Sequence, residues 1–292
     1  MAKAEDVYKQ VTEQIVRAME SGVGEWQKPW RDRGGLPINA TTRKAYSGGN
    51  VLALWCIADV RGYGSPEWAT YKQWEGIGAQ VRKGERSTSL VRWNPVACKE
   101  HKSLGMQSRC ARCRMVPFGF GVFNAEQVDG YTPPPSPVEG LSDAERVAHA
   151  EQWFAAIGAD VRHGGDRAYY ARVQDYIGMP TFGQFSSAED YYSTLAHEHT
   201  HWTGHESRLA REFGKHFGSD KYAAEELVAE LGAAFVCAEL GLTVQPREDH
   251  ASYLAHWVKM LRADSRAIFE AAGKASKAVE YLTERAAVTL AA

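Results

Sequence analysis

His197-Glu198-His199-Thr200-His201, running on through Trp202-Thr203-Gly204, is the stretch whose reading decides the C-terminal half of this chain. On a helix, residues four apart share one face, so His197 and His201 can present ring nitrogens to a single ion. Glu198 sits about 100° further round. There it reaches a water beside the ion and can take its proton as that water attacks a carbonyl. Zinc suits a donor set of imidazoles and a carboxylate, with one position left open; manganese fits the same donors. The flanking residues favour a helix from about 188 to 203. Ser187 can cap it, Tyr191, Leu195 and Trp202 give it an apolar side, and Gly204 can stop it.

Two histidines need a third protein ligand. A histidine six residues beyond His201 would serve, but that position is Ser207, and His205 follows the helix-stopping glycine. The next helix, about 221–240, offers Glu225-Glu226-Leu-Val-Ala-Glu230-Leu-Gly232. On this spacing Glu226 binds the metal and Glu230, one turn on, orients a ligand histidine. Placing Glu225 or Glu230 on the ion instead is the alternative. His199, His205 and His216 are expected to be exposed or locally hydrogen-bonded. Short strands at 159–163, 168–173 and 175–179, then the motif helix, then a helical lobe with Trp257, Leu261 and Ile268 facing inward, make up the layout of a zincin. The glutamate-rich helix resembles the third-ligand helix of the gluzincins.

The 292 residues are enough for two domains, and a hydrophobic fraction of 44% is that of a folded chain. Pro133-Pro-Pro-Ser-Pro137 is the boundary: an extended spacer that can continue neither a helix nor a central strand. It divides the chain into a domain at 1–130, a linker at 131–140 and a second domain at 141–292. Ser142-Asp-Ala-Glu145 has capping-box spacing and opens a helix to Ile157. The first half reads as α+β, with helices near 4–20 and 50–61 and strands at Thr88–Trp93 and Gly119–Asn124. Its N-terminus is an amphipathic helix rather than an export signal, and no apolar run reaches the ~18 residues that span a bilayer. A cytoplasmic protein without membrane contact is expected.

Charge is unevenly shared. Residues 1–130 hold 19 Lys and Arg against 13 Asp and Glu, whereas residues 131–292 hold 15 against 23. A basic first half points to a polyanion. Six of the nine tryptophans also fall there, and single-stranded nucleic acid is gripped by aromatic faces and by cations that follow the phosphates. Trp26, Lys28 and Trp30 interleave in this way, as do Arg43, Lys44 and Tyr46 (with Asn50 close behind), Tyr71, and the basic turn carrying Arg82 and Lys83. Trp55 and Trp74, on apolar helix faces, are expected in the core. Five cysteines without an export signal argue against disulfides. Cys98, His101, Cys110 and Cys113 instead have the spacing of a closed, structural second zinc site.

Several stretches together carry a resemblance: Trp26-Gln-Lys-Pro-Trp30, Pro37-Ile-Asn39, Tyr46-Ser-Gly-Gly-Asn50, Gly78-Ala-Gln-Val-Arg-Lys-Gly-Glu85, Val122-Phe-Asn-Ala-Glu-Gln127, Ile177-Gly-Met-Pro180, the histidine motif and Glu225–Glu230. The sequence resembles the ArdC-type antirestriction proteins of conjugative plasmids, whose N-terminal domain is shared with TraC-type primases. That resemblance implies a single-stranded-DNA-binding domain followed by a zincin-like metallopeptidase domain. It also implies a role in protecting incoming plasmid DNA from host restriction. Three functions compete. One is a DNA-associated metallopeptidase, cleaving a host restriction enzyme or another DNA-bound protein. The second is a binding-only protein that shields the strand around a non-catalytic metal. The third, a replication or primase accessory factor, ranks last, because the chain lacks an acidic triad or nucleotide-binding loop for polymerisation.

Overall fold

The computed structural model describes residues 8, 9, 12, 13, 16, 35–96, 114–134, 142–213, 220–242 and 251–291. Strand β1 (Ile38–Asn39) runs parallel to β2 (Glu67–Ala69), which pairs antiparallel with β5 (Arg114–Asn124), and β5 pairs antiparallel with β4 (Thr88–Val96). Between β1 and β2 lies helix α1 (Gly49–Arg61), buried on every side from Val51 to Ala58 and closed by Gly62 in the left-handed conformation. The short helix α2 (Tyr71–Gly76) opens with a capping box between Thr70 and Gln73, and it buries Trp74, whose indole donates to the Phe123 carbonyl at 3.0 Å. A small ribbon of β3 (Gln80–Val81) and β6 (Val128–Asp129) covers its far side.

The second half follows the expected order. Helix α3 (Asp143–Ile157) begins at the Ser142–Glu145 capping box, in which the Glu145 carboxylate accepts from the Ser142 backbone at 2.7 Å. The three strands are β7 (Val161–His163), β8 (Tyr169–Ala171) and β9 (Tyr176–Met179), in the order β7-β9-β8. They are shorter than the sequence suggests because Asp175, at φ 55°, turns the chain between β8 and β9. Helix α4 (Ala188–Thr203) is capped by Ser187 and is buried along its length from Tyr191 to Thr203. Helices α5 (Asp220–Leu240), α6 (Ala251–Ala263) and α7 (Ala267–Leu290) complete the lobe. No helix of the described residues is long and apolar enough to cross a membrane.

One hydrophobic cluster runs through both halves: Val51, Leu54 and Trp55 of α1 share it with Phe235 of α5 and Leu282 of α7. Trp55 meets Phe235 at a ring separation of 5.6 Å. The motif Ser47-Gly48-Gly49-Asn50 forms this seam. The Gly48 amide donates to Ser276 Oγ at 2.8 Å, and a β-carbon on Gly49 would fall 1.8 Å from the Phe269 ring. Asn50 ties the start of α1 to β4, giving to and taking from the Val91 backbone at 2.8 and 3.0 Å.

A second close approach lies between α4 and α5. A β-carbon on Gly232 would lie 2.4 Å from Thr200 Oγ1, so the bare glycine backbone lets these helices meet. Thr200 cannot step aside easily, because its hydroxyl donates to the Ala196 carbonyl at 2.8 Å. Gly232→Ala should therefore destabilise the protein by about 1–3 kcal/mol through overpacking, read as a lower midpoint in thermal unfolding. Adding Thr200→Ala should restore most of the loss; a second substitution that made matters worse would show that the contact does not set the helix separation.

Candidate metal centre

The two helices that meet at Gly232 carry the candidate ligands. His197 and His201, one turn apart on α4, direct their Nε2 atoms to within 3.1 Å of each other. Glu226, from the first turns of α5, brings its carboxylate oxygens to 3.6 Å from His197 Nε2 and 3.4 Å from His201 Nε2. Among the described residues these three form the group of metal-ligand type, with one donor atom from each lying within 4.8 Å of the others. Two nitrogens bound about 2.05 Å from one tetrahedral ion stand roughly 3.3 Å apart. The spacing seen here therefore fits such an ion without rearrangement.

The back of each imidazole faces another carboxylate of α5. Glu230 Oε1 lies 3.2 Å from His197 Nδ1, and Glu225 Oε1 lies 3.3 Å from His201 Nδ1. Glu225 is held in turn by Arg211, whose guanidinium donates to both carboxylate oxygens at 2.7 and 3.1 Å and to the Thr203 hydroxyl at 2.7 Å. Burial alone would discharge His201, but Glu225 and Glu226 outweigh it and raise its pKa to about 10. Burial opposes the charge on Glu226 as well, yet the two imidazoles hold its carboxyl well below the usual range. Glu225 is lowered likewise: His201 and Arg211 overcome its desolvation. The chain thus keeps three carboxylates buried or nearly so around two imidazoles, a cluster that is costly unless cationic charge sits within it.

Glu198 is also buried, on the same helix as the two histidines. His199 turns away from the cluster: fully buried, it donates from Nδ1 to the Leu195 carbonyl at 2.8 Å, and desolvation lowers its pKa to about 4. His205 is engaged locally with Ser207 at 2.8 Å. Arg211, and Glu225 as the partner of His201, were not legible as such. No spacing rule marks an arginine in an irregular loop, and of two adjacent glutamates only the helical phase tells which faces the ion.

The residues expected to meet DNA are scattered. Trp26, Lys28 and Trp30 lie outside the described residues, as do Cys98, His101, Cys110 and Cys113. Arg43 pairs with the buried Glu67, while Lys44 beside it is exposed. Tyr46 is half-buried, its hydroxyl donating to the Trp68 carbonyl at 3.3 Å and accepting from Asn39 at 3.2 Å. Asn50 is a correction. Both ends of its amide are committed to Val91, which makes it a tie between α1 and β4 rather than a surface contact. Tyr71 is exposed, with its hydroxyl accepting from Gln80 at 2.9 Å. Arg82 is engaged with Glu85 at 3.0 Å, and Lys83 is exposed on the turn that follows β3. Trp55 and Trp74 are buried, as their apolar helix faces required.

Comparison with known proteins converges on one family. Residues 5–123 match the N-terminal domain of anti-restriction factor ArdC, and residues 148–274 match the zincin-like metallopeptidase family. The Mn(II)-bound crystal structure of the antirestriction protein ArdC from plasmid R388 superimposes with a TM-score of 0.78 at 38% identity, covering 96% of this chain and 98% of that one. Its metal-free form gives the same TM-score over 97% and 98%. An uncharacterised protein of Sinorhizobium fredii is 44% identical over 285 residues, 95% of this chain and 91% of its own length. DNA primase TraC of Escherichia coli is 38% identical over 293 residues, which is 94% of this chain but 27% of the primase. Two family matches in tandem, with an ArdC structure 38% identical and covered over 98% of its length, place this chain in the ArdC antirestriction protein family.

Proposed function

We propose that this chain is an antirestriction protein that binds single-stranded DNA and holds one divalent cation between His197, His201 and Glu226, protecting plasmid DNA that enters by conjugation. The observation that carries the metal reading is the pair of buried Nε2 atoms 3.1 Å apart, facing the Glu226 carboxylate. Lone pairs that close repel unless a proton or a metal ion lies between them, and the donor set of two imidazoles and a carboxylate is one that zinc and manganese both accept. The Mn(II)-bound relative from plasmid R388 supports a divalent ion in this fold.

A cation held there supplies Lewis acidity, polarising a carbonyl oxygen and acidifying a nearby water. The residues of the chain do the rest. Glu225 accepts from Nδ1 of His201 at 3.3 Å, and the Glu230 carboxylate stands 3.2 Å from Nδ1 of His197, so that each ring has a carboxylate behind it and Nε2 turned inward. Arg211 keeps the Glu225 carboxylate ionised and aimed. Glu198, on the adjoining helical position, accepts a proton from the attacking water and delivers it to the leaving amine. The substrate class on this reading is a peptide bond in a protein bound to or near the DNA, with a host restriction enzyme as the biological candidate. The excess of Lys and Arg in residues 1–130 supports the nucleic-acid half of the proposal.

Metal analysis of the intact protein should give one divalent ion bound through these residues, with any zinc held by the cysteine cluster counted apart by a Cys110→Ser variant. His197→Ala and His201→Ala should each abolish the ion at the histidine site. Glu225→Gln and Glu230→Gln should retain it with affinity lowered roughly 10- to 100-fold. Full metal occupancy in His197→Ala would end this assignment.

Glu198→Gln separates catalysis from binding. It should leave metal content and DNA affinity unchanged while removing proteolysis of a candidate substrate. Undiminished antirestriction by Glu198→Gln in a conjugation assay would favour a protein that acts by shielding DNA alone.

A further inference from the structure

We infer that the outer part of the β4–β5 ribbon, with Arg92, Trp93 and Phe118, is a stacking platform for single-stranded DNA; the inference rests on the single-strand reading above and gives it a site. Strands β4 and β5 pair over nine positions, from Thr88 opposite Val122 to Val96 opposite Arg114. At the inner end both faces are covered: Leu90, Val91 and Val122 are buried in the main cluster. Beyond Val91 the ribbon leaves the core. Trp93 is 54% exposed on one face, and Phe118 (40%) and Val116 (43%) are exposed on the other. Large apolar side chains left open on both faces of one two-stranded ribbon mark an interaction surface.

The chemistry of this surface selects the partner. Arg92 and Phe118 are direct cross-strand partners, and the guanidinium carbon stands 5.0 Å from the centre of the Phe118 ring. The pair thus offers a cation and a π-face together. Trp93 also lines a cleft of about 910 Å³, together with Tyr46 and Val51. The 17 residues that connect the two strands, 97–113, carry Lys99, Lys102, Arg109 and Arg112 against Glu100 alone. Flat rings for bases, with the Arg92 cation beside them for a phosphate and further cations in the connecting sequence, are what an unpaired strand requires. A hydrophobic protein partner would gain nothing from that run of charge. The cleft itself is a poorer home for a phosphate chain, because Glu239, Glu270, Glu280 and Glu284 line it.

The test is fluorescence anisotropy of a labelled oligothymidylate titrated with the full-length protein, alongside the duplex of the same length. Trp93→Ala and Phe118→Ala should each weaken single-strand binding roughly five- to a hundredfold, the loss expected for one base–aromatic stack. Trp93→Phe should recover most of it. Arg92→Ala should flatten the dependence of log affinity on log salt by about 0.7, one phosphate contact on a single strand. All three side chains are exposed, so unfolding midpoints should stay near that of the parent protein, which separates lost binding from lost fold. Parent-level affinity in both alanine variants would overturn the platform and leave single-strand binding to be explained elsewhere on the protein. An unmodified protein that binds no oligonucleotide at low salt would remove the functional reading and this site together. Equal losses for single strand and duplex would overturn it too, since stacking needs unpaired bases.

Discussion

The structure depends on the contact between α4 and α5 at Gly232 and Thr200. Two helices can bring ionisable side chains into one buried volume only if their backbones approach closely and their phases agree. A residue without a β-carbon at the crossing permits the approach. On α4, the four-residue step aligns His197 with His201. On α5, the side chains of Glu225, Glu226 and Glu230 meet the two rings from three directions: Glu226 on the Nε2 side, the other two on the Nδ1 side. One crossing thus fixes five groups, and a change in helix separation moves all of them together.

The electrostatic consequence follows from burial. Carboxylates removed from water keep their charge only where cations answer them. Arg211 answers Glu225, but its reach ends there. Glu225 and Glu226 together raise the basicity of His201 against its burial. A metal ion would take over that role without any proton, which is why the arrangement reads as preorganised for a cation and not as a hydrogen-bonded core network. The loop that follows α4 earns its place in the same way: it returns across the end of the helix to set Arg211 between Thr203 and Glu225.

Much of this was legible before any coordinates. The spacing of His197 and His201 and the glutamates of the following helix fixed the helix pair, because a four-residue step has one structural meaning on a helix. Capping residues Ser142 and Ser187 located two helix starts to the residue. What could not be read was long-range. The parallel pairing of β1 with β2 joins two short segments whose own residues carry no pattern. Asn50 looked like a surface amide beside a basic loop, yet its partner is a strand some forty positions away. Arg211 and the exposure of Trp93 belong to the same class: composition marked an arginine and a tryptophan, and only the fold decided which was buried in a network and which was left in solvent.

The seam between the halves bears on how the two proposed activities relate. A proline-rich spacer in the sequence suggests two separate domains, but α1 is packed against α5 and α7 through Trp55, Phe235, Gly49 and Phe269. Fully burying one large apolar side chain is worth about 1.5–3 kcal/mol, so several at one contact resist separation strongly. Helix α5 joins both regions: Glu226 lies near its start and Phe235 about two and a half turns later, against the tryptophan of α1. An unpaired strand held along the β4–β5 ribbon would therefore sit on a body continuous with the metal centre. Because Asn50 fastens the start of α1 to β4 at Val91, the ribbon's base and the seam are a single piece of packing. DNA and a protein bound to it would then meet the proposed cation site in a fixed relation, set by the packing of α1 and not by the length of a linker.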